Sequence, residues 1–189
     1  KRPARLAVIG CGPIGSELAQ TFARFGSKVT IIETADQFLQ REDREAAEIL
    51  KSSFEDDGAS VLLSTSVQKV EASENEKVVV LEGPEGTQKL AVDEILVGVG
   101  RTPNVEGLDL ETAGVEYDRS GVRIDDHLRT TNRRIFASGD ICLPHKFTHT
   151  ADAASRAVIQ NALFPGPKKR VSKLTIPWCT YTDPEIAHV

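Results

Sequence analysis

Methionine is absent from this 189-residue sequence, and cysteine occurs only as Cys11, Cys142 and Cys179. Three thiols, odd in number and far apart, suggest neither a disulfide framework nor a metal knuckle, and they suit a reducing cytoplasm. No run approaches the ~18–20 consecutive apolar residues of a membrane helix. Positive charge is also short: the formal net charge is -5, and the only basic run is Lys168-Lys169-Arg170. Standing after Pro165-Gly166-Pro167, that run reads as a solvated loop, so nucleic acid is not an expected partner. With Lys1 first, Val189 last and no starting methionine, the sequence reads as an excerpt, which excludes no targeting segment in its parent.

What is present is concentrated in Ala4–Glu33, ARLAVIGCGPIGSELAQTFARFGSKVTIIE. Leu6–Ile9 is an apolar run fit for a strand buried on both faces, and it leads straight into Gly10-Cys11-Gly12-Pro13-Ile14-Gly15. Gly10 permits the tight turn, Gly12 lets backbone approach a pyrophosphate, and Gly15 lets the following helix lie close to the strand. Pro13 fits a first helical turn, whose N–H groups and dipole suit a phosphate. Leu18, Ala19, Phe22, Ala23 and Phe25 keep to a helical stripe, Gly26 stands as a C-cap glycine, and Val29–Ile32 predicts a second buried strand. Glu33 follows the turn at about twenty residues, the spacing at which a carboxylate meets a ribose 2′-hydroxyl. These residues predict a dinucleotide site. Cys11, inside the turn, reads as a small residue rather than a redox thiol.

The pattern continues with a helix over Asp43–Asp57, stopped by Gly58, and a strand over Ser60–Leu63. Val67–Ala72, Lys77–Glu82 and Thr87–Val92 predict an antiparallel meander with turns at Ser73-Glu74-Asn75-Glu76 and Gly83-Pro84-Glu85-Gly86. Glu94–Val99 returns as an apolar strand. After Gly107 come a short helical piece, an extended Val122–Ile124, and Ile135-Phe136-Ala137-Ser138-Gly139-Asp140. That last run reads as a buried strand delivering a carboxylate to polyol hydroxyls. Ala151–Leu163 predicts a helix, and Leu174–Thr180 a final strand. The fold class is thus α/β: a Rossmann-like dinucleotide-binding domain with a parallel sheet and an antiparallel β-meander. The expected boundaries are 1–117 for this domain, 118–168 for part of a second, and 169–189 for the start of a third.

Taken together, these motifs resemble the two-dinucleotide-binding flavoprotein disulfide reductases, the family of dihydrolipoamide dehydrogenase, glutathione reductase and mercuric reductase. The resemblance covers the whole sequence. It implies that Gly10, Cys11, Gly12, Pro13, Ile14, Gly15, Ser16 and Glu17 form the NAD(P) fingerprint, with Glu17 near nicotinamide and flavin. Glu33, Val67, Gly100 and Arg101 complete the NAD set, the last two within a segment similar to the family's G-R-x-P-N. Gly139 and Asp140 stand where the family holds the FAD ribityl chain. Lys146, Phe147, Thr148, His149 and Ala151 match the turn and helix start that face the flavin. Tyr181-Thr182-Asp183-Pro184-Glu185 looks like the opening of the dimerisation domain, which implies a homodimer in the intact protein. Residues 118–168 would then be the C-terminal part of an FAD domain.

The resemblance further implies hydride transfer from NADH through FAD to a redox-active disulfide, and on to a small-molecule, disulfide or metal-ion acceptor. Glu33 favours NADH over NADPH, because a carboxylate repels the extra phosphate. Asp152-Ala153-Ala154-Ser155 departs from the acidic segment of lipoamide dehydrogenases towards mercuric reductases, and Trp178-Cys179 is unusual for the former. No two cysteines have CxxxxC spacing, so no catalytic residue is expected in the excerpt, which would hold NAD(H) and one wall of the FAD site without turning over. His145 and His149 lack a completing carboxylate or cysteine, and no metal site is expected. Two other readings remain at this level: a flavin-dependent NADH reductase without a cysteine pair, and a non-catalytic NADH-binding module.

Overall fold

Strand β1 (Arg5–Ile9) alternates its side chains between two cores. Leu6 and Val8 enter one apolar cluster, while Ala7 and Ile9 join another. Both faces of the strand are therefore covered, as its unbroken apolar sequence requires. In the computed structural model, which describes residues 1–73 and 76–189, β1 leads through the glycine turn into helix α1 (Pro13–Arg24). Strand β2 (Lys28–Ile32), helix α2 (Arg44–Asp56) and strand β3 (Ser60–Leu62) follow. Gly26, at φ +85, and Gly58, at φ +82, take the left-handed backbone that ends each helix. Asp43 caps α2 by accepting from Glu45 N at 2.9 Å, a contact of about 1 kcal/mol in typical helices.

The meander is formed by β4 (Ser66–Ala72), β5 (Lys77–Gly83) and β6 (Gly86–Val92), antiparallel throughout and bulged between Val67 and Lys69. Of the first expected turn, Glu74 and Asn75 lie outside the described residues. Strand β7 (Glu94–Val97) then pairs parallel to β1, giving the sheet order β3-β2-β1-β7. Helices α1 and α2 cover one face, where Ala19, Ala23, Leu50 and Phe54 meet Val8, Val29 and Ile31. The meander covers the other, where Val79, Leu81 and Val92 meet Ala7 and Ile32. The result is the mixed α/β architecture expected from the sequence.

The chain divides into two compact units, Lys1–Gly100 with Trp178–His188, and Arg101–Pro177 with Val189. This division differs from the boundaries at 117 and 168 for local reasons. Residues before Tyr117 are bonded within the second unit: Glu116 N donates to Thr131 Oγ1 at 2.9 Å, and Asn132 Nδ2 donates to the Ala113 carbonyl at 2.6 Å. The second unit contains the small pair β8 (Tyr117–Asp118) and β9 (Gly121–Val122), a 3-10 turn at Gly139–Ile141, and helix α3 (Thr148–Leu163). Its core gathers Leu128, Leu143, Ala154 and Ala157. The expected strand through Ile135–Ala137 is reduced to an isolated bridge, Arg129 to Phe136. The expected helical piece after Gly107 is a set of turns. The last expected strand shortens to β10 (Trp178–Thr180), since Pro177 has no N–H to pair, and it turns back as β11 (Ile186–His188).

Candidate functional site

The glycine turn is shaped by close approach. A Cβ on Gly10, at φ +92, would lie 2.6 Å from the Gly98 carbonyl oxygen, and one on Gly15 would lie 2.2 Å from that of Gly10. Gly10 N also donates to the Ile32 carbonyl at 2.8 Å, fixing the turn to the end of β2. Gly12 differs: a Cβ there would meet no heavy atom within 4 Å. Its Cβ side is open rather than packed. Gly12 is also the residue before α1, which starts with Pro13, has no side-chain cap and carries no acid in its first turn. The first N–H groups of α1 therefore keep both their donor capacity and their partial positive charge, the features that hold a phosphate.

Glu33 stands where β2 ends. Its Oε2 accepts from Cys11 N at 3.0 Å, and its Oε1 accepts from Ala35 N at 3.0 Å and from the Thr34 hydroxyl at 3.1 Å. Burial pulls its pKa upward, but the Cys11 and Ala35 N–H groups outweigh that and hold it below the usual carboxylate value. It is an anion at neutral pH. Glu17, one turn into α1, accepts from Tyr181 N at 3.0 Å, a contact no local pattern foretells. Ser16 is fully buried and its hydroxyl donates to the Cys11 carbonyl. Ile14 is nearly half exposed beside these groups. Val67 packs into the core with Ile32 and Leu62, and Gly100 has φ +110 with open space at its Cβ position.

Within the second unit the flavin-side residues of the sequence come together. Gly139 takes φ +81, and a Cβ there would press to 3.3 Å on that of Ala151. Asp140 follows at once, and Arg101 Nη1 reaches its Oδ2 at 3.2 Å and the Lys146 carbonyl at 3.0 Å. The sequence reading assigns Arg101 to the NAD set; in the structure its guanidinium joins the Asp140 carboxylate to the Lys146 carbonyl. Helix α3 starts after Phe147 with no side-chain cap and no acid in its first turn. The Phe147 and His149 rings stack at 5.3 Å. Thr150, whose buried Oγ1 has no hydrogen-bond partner among the described residues, was not singled out from sequence. A glycine that only a bare backbone can fill, an uncapped helix start and an orphaned buried hydroxyl together fit a polar group such as the flavin edge.

No group of three or more His, Cys, Asp or Glu residues is placed to hold a metal ion among the described residues. Burial pushes the Cys11 thiol up to about 12 and the Cys142 thiol up to about 11, so both stay protonated at neutral pH. A separate cavity of about 280 Å³, lined by Asp125, His127, Arg129, Arg133 and Lys168 among others, contains none of the predicted site residues. No helix is long and apolar enough to cross a membrane among the described residues.

Known proteins are similar to this chain in sequence and fold. The sequence profile of the family described as "Pyridine nucleotide-disulphide oxidoreductase" matches residues 1–161. Dihydrolipoyl dehydrogenase of Bacillus subtilis is 35% identical over 185 residues, covering 98% of this chain and 40% of its own length. Mercuric reductase of Staphylococcus aureus is 35% identical over 188 residues, covering 99% of this chain and 34% of its own. Among solved structures, the HOCl-induced flavoprotein disulfide reductase RclA from Escherichia coli superposes with a TM-score of 0.90 at 33% identity, over 99% of this chain and 42% of that one. The chain thus spans less than half the length of each of these relatives.

Proposed function

Because the chain belongs to the pyridine nucleotide-disulphide oxidoreductase family, which implies FAD and a pyridine nucleotide as cofactors, we propose that its first unit binds NADH and that its second supplies part of an FAD site. The intact protein would then pass a hydride from NADH through FAD to a disulfide, as a homodimer, with a disulfide or metal ion as final acceptor. When bound, FAD would supply the two-electron relay between nicotinamide and disulfide. The chain's own work is to hold and orient. Gly12 and the uncapped start of α1 face the pyrophosphate, Glu33 accepts from the adenine ribose, and Glu17 borders the nicotinamide. Asp140 accepts from the ribityl chain, Arg101 holds that carboxylate through their ion pair, and the first N–H groups of α3 meet the flavin edge.

The observation that carries the reading of the donor is the Glu33 carboxylate, anchored on the N–H of Cys11 inside the turn. Anchored there, it cannot swing away from an additional phosphate on the ribose. Titration calorimetry on the 189-residue chain should give an NADH dissociation constant at least roughly tenfold below that of NADPH, about 1.4 kcal/mol. Glu33→Arg should shrink or invert the difference. Equal affinities in the unmodified chain would defeat the assignment of Glu33.

A further inference from the structure

Cys11 stands between two glycines of the turn, is only 1% exposed, and has its N–H, carbonyl and sulfur all engaged. Its N–H donates to Glu33 Oε2 at 3.0 Å, and its carbonyl accepts from the Ser16 hydroxyl at 3.1 Å. Its sulfur accepts from Leu39 N at 3.3 Å and faces the Gln37 carbonyl at 4.0 Å. Glu33 and Leu39 are the two ends of one segment, the connection that leaves β2. Leu39 sits at φ +47, a left-handed backbone that a leucine rarely adopts and that needs outside support. Phe38 and Leu39 are buried in the first core, so the far end of the loop is fixed while Thr34 and Asp36 stay exposed.

We propose that Cys11 is a positioning residue for cofactor choice, whose backbone and sulfur fasten both ends of the 33–39 segment to the glycine turn. This rests on the reading of the turn and Glu33 as the NADH site. The segment begins with the carboxylate that meets the ribose, so the position of that carboxylate relative to the pyrophosphate cradle depends on the clamp. A redox role for Cys11 does not fit. Burial holds the thiol protonated, pushed up to about 12, and its sulfur lies 4.0 Å from the Gln37 carbonyl.

The test uses the full chain and two variants. Cys11→Ala removes the sulfur and should speed hydrogen exchange at the Leu39 amide about tenfold or more. It should also raise the NADH dissociation constant roughly three- to tenfold, as for one lost hydrogen bond, and narrow the NADH-to-NADPH ratio. Cys11→Ser, whose hydroxyl can both donate and accept, should restore most of the ratio and of the Leu39 protection. An unchanged ratio and an unchanged Leu39 amide in Cys11→Ala would overturn the proposal. So would an alanine variant that loses affinity with no change in discrimination, since that is the mark of a purely structural residue. If the chain binds neither nucleotide, the reading of the site falls, while the Leu39 exchange still decides the clamp. Should Cys11→Ala fail to fold, the unmodified chain suffices: alkylation of Cys11 and exchange at Leu39 must report the same opening equilibrium, and two different equilibria would rule out the clamp.

Discussion

Glu33 contributes to stability, and the sign of its pH dependence follows from its partners. Its folded pKa lies below the usual carboxylate value because Cys11 and Ala35 donate to it more strongly than burial opposes it. The stabilisation is therefore complete above the ordinary carboxylate range and is lost as pH falls through the depressed folded value. Against Glu33→Gln, the stability difference should be level from about pH 6 to 8 and should fade below about pH 4. Denaturant melts at a series of pH values measure it, and a difference that grows towards acid would refute the hydrogen-bond account. At this scale much was legible in the sequence, because Gly10, Gly12, Gly15 and Glu33 have fixed spacing within one β-α-β unit. The Arg101–Asp140 pair was not, since an exposed ion pair between residues far apart in sequence leaves no periodic trace.

Helix α1 is amphipathic in an unusual sense, because its second face is polar yet also covered. Ala19 and Ala23 enter the core, while Gln20, only 4% exposed, faces the turn between β10 and β11. Its side chain donates to the Asp183 carbonyl at 2.9 Å and to Asp57 Oδ2 at 3.0 Å, and it accepts from Asp183 N at 2.9 Å. Arg24 adds ion pairs to Asp57 and Asp183. Gln20→Ala removes three hydrogen bonds, to the exposed Asp183 backbone and the half-buried Asp57 carboxylate, and should cost about 2 kcal/mol. A thermal melt should fall by roughly 5–10 °C; a variant within about 1 °C of the parent would show that water replaces the amide. The helix itself was legible, from its stripe and from Gly26. Its second face was not, because a buried glutamine reads as surface until the distant strand pair is folded onto it. Ile135–Ala137 fails in the other direction: its apolar run suggests a strand, yet a single bridge forms, because a run can name a strand but not supply its neighbour.

At the scale of the molecule, the first unit is discontinuous in sequence, with Trp178–His188 returning to Lys1–Gly100 after the whole of the second unit. The return is well fastened: Ile186 packs on the first core, Trp178 stacks on the His188 ring at 4.7 Å, and His188 pairs with the nearly buried Glu42. Deleting residues 178–189 should therefore lower the melting temperature of the sheet unit and raise binding of a hydrophobic dye, since Gln20 and part of the core lose their cover. An unchanged melt would mean that the strand pair is a passenger. The α/β class and the parallel sheet could be read from the sequence, as each strand announces itself locally. The unit boundaries could not, because they depend on which distant segment closes which surface. The same return imposes an order on synthesis. A ribosome finishes the parallel sheet, then makes the whole second unit, and only then releases the strands that complete the first. At ~5–20 residues per second that interval is on the order of 4–16 s. For that time the nascent chain displays the parallel sheet and α1 without the strand pair that covers Gln20 and Ile186's part of the first core.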